Sequence, residues 1–393
     1  MTFITYPRIT NPHTFGEIVR AILSPYKEDK LKIEILNFLD VKDGVFVNSG
    51  REAFYLILQS LFEEGDEIIV PAFTCNVLLG GINKSKVKPV FADINRETLN
   101  MEYENILPLI TDRTKAVVVT HQFGYPTEFK KIIEFCKEKK IVVIEDSASA
   151  FGAELNGEKL GIQGDIGFFS FEKSKVISSI EGGVIVGQSE ILQKLRNETI
   201  YAGTESSLKY IFKSLIDVIL FNPFTYNIIL IIWGLLGKKT TQADTLDLEV
   251  ERYRINFKSF SKFQGKLLGI QLSKIKKIIE IRNKTALLYH IEISQSCQVI
   301  SIPQPIINKK LHTYSRFPIL VKNKNSVYQS VKKQGVDLGF TFSYKLPQYF
   351  SDEKGEFKNT DFVIENILCI PITNSFKENE RIIKKVKRGL DLI

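Results

Sequence analysis

Cysteine is scarce in this 393-residue chain and scattered: Cys75, Cys136, Cys297 and Cys369 form no CxxC pair. That spacing excludes a disulfide framework and a structural zinc site, and a reducing compartment is expected. The opening stretch "MTFITYPRITNPHTF" lacks a charged segment followed by an apolar one, so no secretory signal is expected. A cytoplasmic protein, or one peripheral at the inner membrane surface, is the corresponding expectation. No internal repeat or low-complexity tract stands out. The apolar run "YNIILIIWGLLG" has twelve residues, whereas a bilayer-spanning helix needs ~20. Recognition motifs for nucleic acid are missing too. The net charge of +8 is spread along the chain, which favours anionic substrates or an anionic membrane surface over nucleic acid.

What is present is ordinary globular material. Hydrophobic residues make up 44% and charged residues 25%, enough for a sizeable core without staples. Between 44 and 190, short apolar runs alternate with amphipathic stretches. "GVFVNSG", "DEIIVPAF", "VKPVFADI", "KAVVVTHQFG", "IVVIEDSASAFGA", "IGFFSF" and "GGVIVG" read as strands. "REAFYLILQSLF", "NVLLGGINKSK" and "TEFKKIIEFCKEKK" read as helices. The alternation predicts crossover units and a mainly parallel sheet covered on both faces, with ligands at the carboxyl ends of its strands.

Residues 208–237 differ. Leu208, Ile211, Phe212, Leu215, Ile216, Ile219 and Leu220 fall on one helical stripe, opposite Lys209, Lys213, Ser214 and Asp217. Asn222-Pro223 breaks the helix, and the twelve-residue apolar run follows. The stretch reads either as a buried or oligomer-interface hairpin or as an in-plane membrane anchor. Beyond it, "QGKLLGIQLSKIKKIIEIRNKTALLYHIEI" is one long helix candidate, "YSRFPILV" and "FVIENILCIPI" read as strands, and "SVYQSVKKQG" and "NERIIKKVKRGL" as helices. We therefore expect a large α/β domain at 1–255, carrying an apolar insertion at 205–240, and a smaller α+β domain at 256–393.

The stretch "DIGFFSFEKSKVISSIEGG" sets two lysines, Lys173 and Lys175, between an aromatic strand and a glycine turn. Lys175 lies 29 positions after Asp146, which closes the apolar strand "IVVIED". A carboxylate there is costly unless a cation or hydrogen-bond donors meet it. An aspartate facing a pyridinium nitrogen, with a lysine bonded to the aldehyde, is the protein's half of pyridoxal phosphate chemistry. Desolvation beside the cationic ring would lower the lysine pKa and make it nucleophilic. "NSGREA", a glycine turn opening a helix, offers backbone N–H groups to a phosphate. Each feature alone has a plain structural reading; their order along the chain carries the inference.

That order resembles the DegT/DnrJ/EryC1/StrS family of sugar aminotransferases, fold type I pyridoxal-phosphate enzymes. The resemblance runs from "VNSGREAFYLILQSL" and "GDEIIVPAFTCN" through "VVIEDSASAFGA", "GDIGFFSFEKSK" and "IEGGVIV". It is fainter at "NFKSFSKFQGKLLGIQL" and "ENILCIPI". It implies a large mainly parallel seven-stranded-type sheet domain and a smaller C-terminal α+β domain. It also implies that Lys175 is the Schiff-base lysine, Asp146 the pyridinium partner and Ser170 a phosphate contact, with Gly50 and Arg51 as the phosphate-cradling pair. Lys173 becomes a loop lysine. Lys258 matches a residue that a neighbouring chain sends to the phosphate, so a homodimer with a shared site is implied. Three positions depart from the family: Arg51 replaces Thr or Ser, Cys75 the aromatic that stacks on the ring, and Ser149 the Gln or His three residues after the aspartate.

The resemblance implies amino transfer from L-glutamate to a keto-sugar nucleotide, serving a surface polysaccharide or a secondary metabolite. Sugar dehydratases of this family carry histidine at the lysine position, so Lys175 speaks against them. The reading from another class is a catalytically diverged, membrane-surface binding or regulatory protein that keeps the fold. His121 is expected as a packed histidine, with a substrate contact as the alternative; His13, His290 and His312 carry no readable signal.

Overall fold

The computed structural model describes residues 4–10, 13–25, 28–198, 206–235, 260–304, 310–350 and 355–393. Two helices, α1 (Phe15–Leu23) and α2 (Glu28–Leu39), precede the first strand. The strands that follow are β1 (Val45–Val47), β2 (Glu67–Pro71), β3 (Lys88–Ala92), β4 (Thr114–Thr120), β5 (Val142–Asp146), β6 (Glu154–Leu155), β7 (Glu158–Lys159), β8 (Ile166–Ser170) and β9 (Gly183–Gly187). Seven of them form one sheet in the order β1-β9-β8-β5-β4-β2-β3. Every pair is parallel except those of β9, which runs against both β1 and β8.

The apolar runs become strands because both sheet faces are covered. β2 and β8 are buried at every position, as expected of a sheet sandwiched between helices. The covering helices are α3 (Gly50–Leu61), α4 (Val77–Ser85), the short α5 (Tyr103–Ile106), α6 (Lys130–Lys139) and α7 (Ser189–Glu198). α3 starts where the Ser49 hydroxyl accepts from the Glu52 N–H at 3.1 Å, and it buries Ala53, Phe54, Leu56, Ile57 and Leu58. Phe54 meets Phe168 of β8 with ring centroids 5.7 Å apart. Each such ring contributes roughly 1.5–3 kcal/mol by its burial.

The apolar stretch forms two helices, α8 (Ser207–Leu220) and α9 (Pro223–Leu235). It is not buried, as one expectation had it: Leu208, Phe212, Ile219, Phe224 and Ile228 are exposed. The single long helix expected beyond it is two, α10 (Lys262–Leu272) and α11 (Ile275–Ile293). The Ser273 hydroxyl bonds back to the Ile270 carbonyl, the Lys274 N–H tightens onto Gln271, and Lys274 leaves helical geometry at φ −110°, ψ 0°.

The C-terminal part has a second sheet, in which β12 (Phe317–Val321) lies between β10 (Val299–Ser301) and the last strand. A small strand, β11 (Lys310–Leu311), instead reaches across to β6. α12 (Lys324–Lys333), α13 (Lys358–Asn366) and α14 (Phe376–Asp391) flank it. "FVIENILCIPI" does not form one strand. Its first half is α13 and only β13 (Ile367–Ile370) is extended. The cause lies far away in sequence: the Asp93 carboxylate accepts from the N–H groups of Asn359 and Thr360 at 2.9 and 2.8 Å, capping α13. The expected boundary at 255/256 falls within 236–259, outside the described residues. The N-terminal segment reaches the small sheet region, where Tyr6 bridges to Val336 and Arg8 pairs with buried Asp337 at 2.8 Å.

Candidate active site

The carboxyl ends of β2, β4, β5 and β8 open onto one cavity between the large sheet and the C-terminal part. Its lining includes Cys75, His121, Asp146, Ser149, Glu172 and Lys175 from the first, and Arg316 and Thr341 from the second. Sheet register explains the grouping, because Thr120 pairs with Asp146 and Asp146 with Phe168. Parallel neighbours finish together, so their last side chains and following loops meet.

Asp146 is buried at this edge. One carboxylate oxygen accepts from the Ala148 N–H at 3.1 Å. Burial raises its pKa above the usual carboxylate value; the Ala148 bond and the nearby charges of Lys175 and His121 pull the other way without restoring it. The Lys175 ammonium donates to the Ser149 hydroxyl at 3.2 Å, and its loop is turned by the Lys175 N–H bonding to the Glu172 carbonyl at 3.0 Å. Thus Lys175, Asp146, Ser149 and Cys75 share one cavity. Desolvation pushes the Cys75 thiol up, so it stays protonated and serves as wall.

Gly50 and Ser170 abut just beside this lining. A Cβ on Gly50 would sit 2.9 Å from the Ser170 Cβ and 3.2 Å from its hydroxyl, so only glycine fits this approach. Gly50 is the first residue of α3, where backbone N–H groups have no intrahelical acceptor and the helix dipole favours an anion. Arg51 directs its guanidinium to Glu172 of the cavity lining, at 3.3 Å. Lys258 lies outside the described residues. Lys173 pairs with buried Asp217 of α8 at 2.8 Å, which makes it more than a loop cation.

Sequence reading did not find two residues that matter here. Glu145, one position before Asp146, is completely buried and accepts N–H groups from Gly161, Gln163 and Gly164 at 2.5–2.7 Å. It also meets His121 Nε2 at 3.2 Å. His121 is therefore packed, as expected, yet it also lines the cavity. Its Nδ1 is buried with no hydrogen-bond partner among the described residues, as is the Thr120 hydroxyl. Arg316, whose guanidinium donates to the Thr341 hydroxyl, brings a second cation to the cavity. A charged residue directly before the apolar run "FPILV" was the signal for Arg316, and it is a weak one.

The donor set fits pyridoxal phosphate: a buried carboxyl short of a cation, a lysine amine, and a glycine–serine seat at a helix N-terminus. A model of the DegT/DnrJ/EryC1/StrS aminotransferase family matches residues 21–387. The chain is similar to a GDP-perosamine synthase of Vibrio cholerae, 36% identical over 180 residues, 44% of this chain and 49% of that protein. It thus spans about half the length of that relative. It is also 23% identical over 372 residues to a pleiotropic regulatory protein of Geobacillus stearothermophilus, covering 92% and 88% of the two chains. Among solved structures it resembles a Helicobacter pylori aminotransferase involved in the biosynthesis of pseudoaminic acid (TM-score 0.77, 20% identity, 99% and 100% coverage). It also resembles an Escherichia coli GDP-4-keto-6-deoxy-D-mannose-3-dehydratase with bound hydrated pyridoxal phosphate (TM-score 0.74, 19% identity, 98% and 99% coverage). At such identities these two likenesses speak for the fold.

Proposed function

Because the chain belongs to the DegT/DnrJ/EryC1/StrS aminotransferase family, we propose that it is a pyridoxal-phosphate-dependent aminotransferase. Its acceptor is a keto-sugar carried on a nucleotide, and its donor L-glutamate. The observation that carries this reading is the meeting of Lys175 and Asp146 in one cavity at the strand ends. Bound there, the cofactor supplies an electron sink for the substrate carbon that loses its proton. Asp146 holds the proton on the ring nitrogen, and the cation it meets there offsets the cost of burying its carboxylate. Lys175 Nζ would tether the cofactor and would serve as the base that takes and returns the proton at the substrate carbon. The Ser149 hydroxyl orients that amine. Gly50 and Ser170 seat the phosphate, and Arg316 faces an anionic group of the donor or acceptor. The working unit is a homodimer, in which Lys258 serves the neighbouring site.

An absorption spectrum tests the tether. Reconstituted wild-type protein should show a band at roughly 410–430 nm that borohydride abolishes, and Lys175→Ala should lack it. The same variant should lose at least about a thousandfold in 2-oxoglutarate release from glutamate with keto-sugar nucleotides. A wild-type protein that stays colourless after reconstitution would sink this reading and favour a diverged binding or regulatory protein.

A further inference from the structure

Helices α1, α8 and α9 are built inside out. Each turns a polar side chain inward: Glu17 of α1 pairs with Lys274 at 2.6 Å, Asp217 of α8 with Lys173 at 2.8 Å, and Tyr226 of α9 donates to Asp337 at 2.6 Å. Glu17, Asp217 and Asp337 are all buried. The outward side is apolar. Phe15 and Leu23 are exposed on α1, Phe224 and Ile228 on α9, and on α8 Leu208, Phe212 and Ile219 are 77%, 67% and 58% exposed. α8 packs against both of the others, so the three faces adjoin. A helix at an aqueous surface has the reverse arrangement, and a contiguous outward apolar face marks a docking surface.

Charge says what docks. Glu17 and Asp217 are the only acids in these three helices, and both face inward. The exposed charged side chains on them are basic, Arg20 on α1 and Lys209 on α8. We propose that this face rests on the surface of an anionic lipid bilayer, with its apolar rows in the headgroup boundary and the two basic side chains among the lipid phosphates. Among the described residues of the three helices no exposed acid could meet these cations on a second copy, whereas lipid phosphates would. The helices lie in the plane. Among the described residues no single helix is long and apolar enough to cross a membrane, and α8 meets Pro223–Ile232 at an 85° bend.

The test is co-sedimentation of the full chain with phosphatidylcholine vesicles, with and without phosphatidylserine. Binding should be at least about tenfold greater with phosphatidylserine and fall as salt rises. The variant Leu208→Glu/Phe212→Glu/Ile219→Glu should lose that binding with unchanged molar mass and circular dichroism. Should that variant fail to fold, Arg20→Glu/Lys209→Glu should weaken phosphatidylserine binding severalfold while keeping its fold. Three results would overturn the proposal: no partition onto phosphatidylserine, equal binding to phosphatidylcholine alone, or undiminished binding by the folded variants. A drop in molar mass of the triple variant would also overturn it, and assign the face to a second copy.

Discussion

The central sheet and the α8–α9 hairpin dispose of large apolar side chains in opposite ways. Phe168, on β8, is 1% exposed and packs against Phe54, whereas Phe212, on α8, is mostly open. Both lie in stretches that look equally apolar in sequence. In the sheet, apolar residues on both sides of each strand meet helices, and the few polar residues gather at strand ends. In the hairpin, Tyr210, Ser214 and Asp217 make the inner face of α8. Tyr210 and Lys213 both bond Glu181, at 2.5 and 2.6 Å. Hydrophobic periodicity therefore identifies a face, but its polar neighbours decide which way that face turns.

The sharpest way to break this comparison is a matched pair of substitutions. Phe168→Ala should cost about 3–5 kcal/mol in urea unfolding through loss of contact and a residual cavity. Phe212→Ser should stay within about 0.5 kcal/mol. A large cost at 212 would mean that the face is covered in solution.

Acid probes the hairpin's underside. His13 lines the groove beneath α8 and α9 with Tyr6, Val218, Phe221 and Asn374. Burial lowers its pKa from 6.5 to about 4, opposed by Glu17 and assisted by Lys173. The unfolded chain therefore takes up this proton first. Stability is intact above about pH 6.5 and falls as pH drops toward 4, by up to about 3 kcal/mol from this group alone. Burial alone would raise the Glu17 pKa, but its bonds to Lys274 and the Thr14 N–H hold it low, so it adds to the loss at lower pH. Denaturant titrations at pH 7 and pH 5 should show the difference for wild type and a smaller one for His13→Asn. Equal slopes in the two proteins would mean that the underside is wet.

A smaller effect belongs to the tie between site loop and hairpin. Lys173→Ala removes the cation from buried Asp217, and because the lysine is itself partly exposed the cost should be about 1–2 kcal/mol. Thermal unfolding reads it, and Asp217→Asn in the same background should recover most of the loss. No recovery would show that the pair contributes by packing rather than by charge.

Much of this architecture was legible in the sequence because it is periodic. The sheet strands from β1 to β9 that carry the site, and helices α3, α4 and α6 between them, follow from alternation and from turn residues. Asp146 and Lys175 could be placed at strand ends for the same reason and Gly50 at a helix start, while Ser149 came from the family resemblance alone. What escaped depends on single contacts between distant residues. The cap that Asp93 gives α13 spans more than 260 positions, and no local pattern announces it. Arg316 reaches the cavity only because the two parts of the chain fold together. Glu145 looked like an ordinary residue within a strand, and its three backbone bonds come from a loop that sequence reading could not shape. Arg51 was open between cofactor and substrate; its bond to Glu172 is a tertiary fact.

Asp337 has a consequence of its own. Its carboxylate receives the Arg8 guanidinium and the hydroxyls of Tyr226 and Tyr328, so the start of the chain, the hairpin and the C-terminal part converge on one dry acid. The hairpin is thus no detachable appendage. Excising it would strip a donor from a carboxylate that water cannot reach, and the damage would travel to both ends of the polypeptide at once. These three stretches, separated by hundreds of residues, should therefore melt together and accept substitutions only in concert.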